Sequence, residues 1–573
     1  MKKIKIYLLV FVLFAGGISC KKSFLDETPL DFLSTSNAFK TAADFNASVY
    51  NMFRLVREEF YTLNDNTTYD YQYRTDLAID AAAAVPNLVG DFTPTNGNRT
   101  GHWTRLYKII AEANTVISRV PSSDMTDTDK KIFEGKGRFF RALGYRTLAY
   151  MWGGVPLSLE ETTAPRVDFV RATKAEVLAQ CILDLEFAAA NIPSIGLASY
   201  KDGDLSREAA THLLSEVYLA AGQFQKAVDA ATAVISSGNL NLMTGRFGSM
   251  STGPNANPGD VYSDMFRVGN QNRSKGNREG ILVVQIEANN PGGAGATNLG
   301  FANAGGYCME RVHVPLTRDA NLNGVAYFRW PAGDYSSGGR GVGFMGPSYW
   351  FQDSVWRNSG TDIRNANHNF VRKFKVTNPA NPMFGQDLDF YNLPAGTRGT
   401  SNAVLVSGRP SRALYAFQAK ATTPYQHPQE LLDPVNRPWP YSLKDGAAFT
   451  FRDEYMFRLA ETYLIRAEAY LGLNNTGLAA ADINMVRARS SATPVLPAEV
   501  NIDYILDERM RELGVEEKRM LTLDRLGKWY DRVVKCNPYY AAQADPKYNL
   551  WPIPQSVIEA NREAVITQNP GYN

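Results

Sequence analysis

The chain has 573 residues, 44% of them hydrophobic and 12% aromatic, with 60 Lys and Arg against 58 Asp and Glu. This near-neutral balance without a basic run leaves no electrostatic footprint for nucleic acid. The cysteines, Cys20, Cys181, Cys308 and Cys536, include no C-x-x-C pair, so neither a disulfide framework nor a zinc site is indicated.

At the N-terminus Lys2, Lys3 and Lys5 precede a dense apolar run over residues 6–14, followed by Ala15, Gly16, Gly17 and Ser19. Nine apolar residues are too few to span a bilayer, which takes about 20, and the layout is that of a secretory signal peptide over residues 1–19. Gly17-Ile18-Ser19-Cys20 resembles a bacterial lipobox, with Gly17 where Leu is commonest, so Cys20 is the expected lipid attachment site. Cleavage after Ser19 removes three lysines and no acid and leaves a mature net charge near −1. No Pro-rich or Ser/Gly-rich linker of any length divides the rest, so residues 20–573 are expected to form one elaborated domain.

Helical signals dominate both ends. Thr173-Lys174-Ala175-Glu176 reads as a capping box, and Val177, Leu178, Cys181, Ile182, Leu185 and Ala188 follow at helical spacing up to Ile192-Pro193. Residues 207–238 predict two apolar-faced helices joined at Gly222-Gln223, and residues 463–489 repeat the plan around Gly472 to Gly477. Glu216 and Tyr218 in the first hairpin match Glu468 and Tyr470 in the second. Both resemble tetratricopeptide-like units, which bury their apolar faces only by stacking. The expected fold is mainly α, with this scaffold over about 30–237 and 442–573.

Between about 238 and 441 the sequence turns rich in Gly, Asn, Pro and aromatics, with one strand-like apolar run at residues 280–288. An irregular aromatic stretch on a rigid scaffold is where binding residues are expected, together with the early loop 61–101. Sugars combine flat apolar faces with hydroxyls, so a carbohydrate site needs aromatic rings beside short polar groups. Tyr71, Asp80, Asn98, Tyr307, Trp330, Tyr335 and Trp350 are the candidate ligand-binding residues. Trp103 and Trp551 read as packing residues.

Other chemistry is poorly supported. Glu508, Glu512, Glu516 and Glu517 stand among Arg509, Arg511 and Arg519 at helical spacing, which favours ion pairs over a glycosidase carboxylate pair. Gly341-Val342-Gly343-Phe344-Met345-Gly346 fits G-x-G-x-x-G, but Pro347 follows and no helix does, so a flexible loop is expected. Asp319, Asn321, Asn323 and Gly324 fit half a calcium loop, but Trp330 occupies the position of the bidentate Glu. His102, His212, His313, His368 and His427 show no metal-ligand spacing. No catalytic residue, cofactor or metal is expected.

Seven ordered motifs carry a resemblance: residues 24–29 (FLDETP), 103–117 (WTRLYKIIAEANTVI), 135–157, 172–188, 458–471 (RLAETYLIRAEAYL), 505–526 and 550–573 (LWPIPQSVIEANREAVITQNPGYN). Their order is similar to that of the SusD/RagB family across almost the whole mature chain. One departure is Thr522-Leu523-Asp524, where the family more often has Asp-Leu before an Arg, which puts a local ion pair in doubt. The resemblance implies a lipid-anchored protein facing outward on the outer membrane, the partner of a SusC-like TonB-dependent transporter. It implies binding of oligosaccharides without catalysis. Peptide cargo for uptake, an adaptor using the helical hairpins, and a surface hydrolase are the competing readings.

Overall fold

Helix boundaries follow the capping chemistry written into the chain. The computed structural model describes residues 39–61, 68–83, 85–254, 256–286, 307–329, 338–339, 341–433, 435, 443–444 and 451–572. In chain order the main helices are α1 (Ala42–Phe60), α2 (Gly97–Arg119), α3 (Asp127–Trp152), α4 (Lys174–Asn191), α5 (Arg207–Ala220), α6 (Phe224–Ile235), α7 (Leu459–Gly472), α8 (Thr476–Arg489), α9 (Ile502–Glu512), α10 (Arg519–Leu526) and α11 (Trp529–Cys536). The capping box that opens α4 forms, with Thr173 N donating to Glu176 Oε2 at 2.8 Å and Glu176 N to Thr173 Oγ1 at 3.2 Å. Thr126 caps α3 by accepting from the Asp129 N–H at 3.2 Å, and Asp127 and Asp129 in the first turn favour its dipole.

α3 is the central element. Every residue from Phe139 to Trp152 is buried, because α2, α4 and α10 surround it. Gly137 and Gly144, two turns apart, let α2 approach: a Cβ at Gly137 would stand 2.9 Å from Ile117 Cγ1, and one at Gly144 2.8 Å from Ile110 Cγ1. α5–α6 and α7–α8 are the two helical hairpins, packed together through α6 and α7. Their repeated glutamates play matching parts, Glu216 accepting from Arg146 at 3.2 Å and Glu468 from Arg525 at 2.7 Å. The latter is an ion pair beside the altered Thr522-Leu523-Asp524 stretch, while Asp524 itself is buried and its oxygens have no hydrogen-bond donor among the described residues.

Strands are few and short: β1 (Ala78–Asp80), β2 (Gly280–Val284), β3 (Asn321–Leu322), β4 (Val325–Ala326), β5 (Met345–Pro347) and β6 (Glu454–Arg458), with further two- and three-residue pieces between 370 and 418. The apolar run at 280–288 does supply a fully buried strand, β2, antiparallel to β6 with Glu454 opposite Val284. Since β6 leads directly into α7, this ribbon ties the middle of the chain to the helical core. A second core, including Tyr69, Val312, Phe351, Phe370, Phe417 and Met510, holds the loop-rich part together.

One motif resolves differently from expectation, and a second, set aside as a calcium loop, takes a definite form. The G-x-G-x-x-G stretch is closely packed, not a flexible loop: Val342 N donates to Arg311 O at 2.8 Å, Gly343 N to Val314 O at 3.0 Å, and Gly346 lies in β5. The half calcium loop is a β3–β4 hairpin, with Leu322 opposite Val325 and Asn323 and Gly324 at φ 49° and 90°. Asn-Gly is the sequence signal for such a turn.

Candidate functional site

Among the expected ligand contacts, Tyr71 and Tyr307 are corrected by burial. Tyr71 is 0% exposed, donates its hydroxyl to Glu59 Oε1, stacks on Phe60 at 5.2 Å and meets His102 edge-on at 5.1 Å. Tyr307 is 1% exposed, edge-on to Tyr61 at 5.3 Å and parallel to Tyr69 at 6.5 Å. Neither ring offers a face to a ligand. Cys20, Trp330 and Tyr335 lie outside the described residues.

Asp80 and Trp350 come to one wall of the molecule. β1 pairs with β5, Asp80 opposite Met345 and Ala78 opposite Pro347. Ser348 then fixes the chain direction, its N–H donating to Leu77 O at 2.9 Å and its hydroxyl to Asp76 O at 2.6 Å. It also caps the short helix Tyr349–Gln352, whose first two side chains are Tyr349, 36% exposed, and the half-buried Trp350.

The segment 529–543 backs both ends of this ribbon. At one end the Asp80 N–H donates to the Tyr540 hydroxyl at 3.0 Å. At the other end Lys535 Nζ lies 5.9 Å from the centre of the Trp350 ring. Tyr539 donates to Ala83 O at 2.8 Å and Gln543 to Pro86 O at 2.9 Å, so the 80–92 loop is laced down. Asp80 Oδ1 accepts from Ala82 and Ala83 N–H at 2.9 and 3.1 Å, which closes the turn after β1. Asn98 sits beyond this loop, half-buried in the first turn of α2, its N–H donating to Asn96 Oδ1 at 3.0 Å.

The wall therefore combines partly open rings, Tyr349, Trp350 and Tyr539, with the polar groups Asp80, Asp503 and Lys535. Lys535 Nζ donates to Asp503 Oδ2 at 2.6 Å. Burial raises the Asp503 carboxyl, but Lys535 and Arg532 outweigh it and the net shift is downward. Tyr349 and Tyr539 were not among the sequence candidates. The Asn-Pro-Tyr-Tyr run at 537–540 was the available signal, but nothing local to it reveals a partner in the 80–86 loop.

The acidic block is structural. Glu508 accepts from Arg364, Arg487 and Arg511 at 2.8, 2.7 and 2.8 Å, and Glu512 from Arg364 at 2.9 Å and from Arg458 and Arg489. Burial alone would raise Glu508, but Arg364, Arg511 and Arg487 hold it well below the carboxylate range. A carboxyl that is buried and pinned in its ionised form is neither a proton donor nor within reach of substrate. The nearby polar pocket lined by Tyr61, Arg458, Glu461, Glu516, Lys518 and Arg525 holds about 60 Å³, well below the roughly 300–1,000 Å³ of small-molecule sites.

Comparison with known proteins agrees with this architecture. Residues 316–572 match the SusD family model, and residues 23–219 match a model described as starch-binding associating with outer membrane. The chain belongs to the SusD/RagB family. SusD-like protein P25 of Formosa agariphila is 22% identical over 96% of this chain and 93% of its own. SusD-like protein P2 of the same organism is 28% identical over 41% of this chain and 47% of its own, so that match spans about half of the relative. Among solved structures, a laminarin binding SusD-like protein superposes with a TM-score of 0.66 at 22% identity, covering 93% of this chain and all of that one. These likenesses establish the helical, SusD-like fold.

Proposed function

We propose that this SusD-family chain binds oligosaccharides or polysaccharide fragments at the cell surface and delivers them to a SusC-like TonB-dependent transporter in the outer membrane. The observation that carries the reading is the wall formed by the β1–β5 ribbon and the segment 529–543, with Asp80 and Tyr539 at one end and Tyr349 and Trp350 at the other. Flat rings supply stacking area there, and short polar groups beside them can meet hydroxyls. The starch-binding description of one matching family model and the laminarin binding of a structural relative support a glycan as cargo. Cys20 is the proposed lipid anchor, on the strength of the Gly17-Ile18-Ser19-Cys20 motif. Asn98, Trp330 and Tyr335 extend the proposed contact set.

The mechanism is capture and release without bond cleavage, since the acidic block is committed to arginines. The test is titration of the chain lacking residues 1–20 with soluble starch and laminarin fragments by calorimetry, with the ligand recovered and sized. Binding with an intact ligand supports the reading. Absence of glycan binding alongside binding of peptide digests would replace it by peptide uptake, and shortened glycans would overturn the non-catalytic mechanism.

A further inference from the structure

The polar cavity beside Lys518 lies where α3, α5, α7, α9, α10 and β6 come together. Its volume of about 60 Å³ is too small for an organic ligand, yet exceeds the roughly 10–15 Å³ that a single water needs. Its lining carboxylates are already taken by cations other than Lys518. Glu216 pairs with Arg146 at 3.2 Å, and Glu461 and Glu517 pair with Arg509 at 2.7 and 2.5 Å. Glu516 is shared between Arg458 at 2.9 Å and Lys420 at 2.6 Å.

Lys518 is left over. Its Nζ stands 4.3 Å from the centre of the Tyr61 ring and 6.0 Å from that of Tyr307, and among the described residues it makes no hydrogen bond or ion pair. A ring face attracts the charge, but an ammonium carries three N–H donors that need acceptors. Burial draws the Lys518 ammonium down to about 8, with Glu454, Glu516 and Glu461 only partly opposing it. Two more lining groups are short of acceptors: Arg146 Nε and Arg509 Nη1 are buried without a partner. None of the orphaned buried atoms is an oxygen of a lining carboxylate.

The surplus is therefore one of donors and of one cation. Water would bring two more donors into a site that lacks acceptors, whereas an anion only accepts. We propose that this cavity binds one small monovalent anion of the halide class, held by the Lys518 ammonium above the Tyr61 ring in the positive field of Arg146 and Arg509. The ion joins the turn that leads into α10 to the end of α1 and to α3 and α9, so it acts on the stability of the scaffold. The site is separate from the aromatic wall and goes beyond the proposed function.

The test is anomalous diffraction from crystals of the chain starting at residue 21, grown with bromide in place of chloride. The expected result is one bromide peak in the cavity within hydrogen-bonding distance of Lys518 Nζ, absent from Lys518→Met crystals. A cavity holding water alone would overturn the proposal, and a peak that persists in Lys518→Met would overturn the part given to Lys518. In solution, chloride substituted for gluconate at equal ionic strength should raise the wild-type melting temperature by about 1–2 °C once it exceeds Kd some tens of times. Equal shifts in wild type and Lys518→Met would count against the site. No readout involves a glycan, so failure here is distinct from failure of the proposed function.

Discussion

Trp350 donates its indole N–H to Asp507 Oδ1 at 2.9 Å, and Arg532 donates to the same oxygen at 2.6 Å. The ring is therefore held in one orientation by a carboxylate that is itself fixed, so its open face needs no ordering when a ligand arrives.

If that face stacks on a sugar, Trp350→Ala removes an aromatic contact worth about 0.5–1.5 kcal/mol, or about 2- to 12-fold in Kd. Trp350→Phe keeps a ring but loses the tether to Asp507, and is expected to bind with intermediate affinity. Calorimetry with whichever of the starch and laminarin fragments binds the wild-type chain checks both, and wild-type affinity in Trp350→Ala would remove this residue from the site.

Glu508 neutralises three arginines in the core. Glu508→Ala leaves Arg364, Arg487 and Arg511 short of a partner, and loss of one member of a buried ion pair costs roughly 3–5 kcal/mol. The pH dependence follows from the sign of the shifts. Glu508 lies well below its ordinary 4.5, and Asp76, against the opposing effect of burial, is held at about 2 by Arg519 and Arg532. Groups depressed in the fold stabilise it above their unfolded values, so stability should fall as pH drops below about 4.5. Urea midpoints at pH 7 and pH 4 measure this, and equal midpoints would contradict it.

Asp524 has the opposite sign. Burial pushes its carboxyl well above 3.8, only partly offset by Lys174 and Arg99. Its cost to folding begins as pH rises past the unfolded value and grows until the folded one is passed. Asp524→Leu removes the unsatisfied oxygens and should stabilise by roughly 1–3 kcal/mol, more at pH 8 than at pH 4. A melting temperature lowered at both values would show that the carboxyl has a stabilising partner.

Gly144 admits Ile110 between α2 and α3. Gly144→Ala gains helix propensity of about 1 kcal/mol, but forces the 2.8 Å contact apart, and overpacking typically costs about 1–3 kcal/mol. The net expectation is a lower denaturation midpoint, with Gly97→Ala, where a Cβ meets nothing within 4 Å, as the matched control. A midpoint raised by Gly144→Ala would mean that the helices separate freely.

Helices were legible because their signals are local. The Thr173–Glu176 box, the breaks near Gly222 and between Gly472 and Gly477, and the apolar spacing of α4 lie within a turn or two of what they specify. The Asn323-Gly324 hairpin is equally local, since the Asn-Gly pair supplies the two positive-φ positions of its turn, although the same residues also fit the front half of a calcium loop. The arginine-rich helix read correctly as ion pairing because its charge density leaves few other ways to bury it, although Arg364 and Arg458, its distant partners, carried no mark in the sequence.

The sequence by itself determined the helical scaffold, the paired hairpins, the family and the commitment of the acidic block to structure. Only the tertiary structure decided which loop aromatics reach the surface. Tyr71 and Trp350 look alike as aromatics in polar loops, yet Tyr71 is sealed by Phe60 and His102 while Trp350 stays half open. Exposure depends on what covers a ring and on where its segment is carried, and Trp350 is carried by pairings such as Ser348 with Asp76, 272 residues apart. No periodicity or spacing within a loop encodes a partner at that distance.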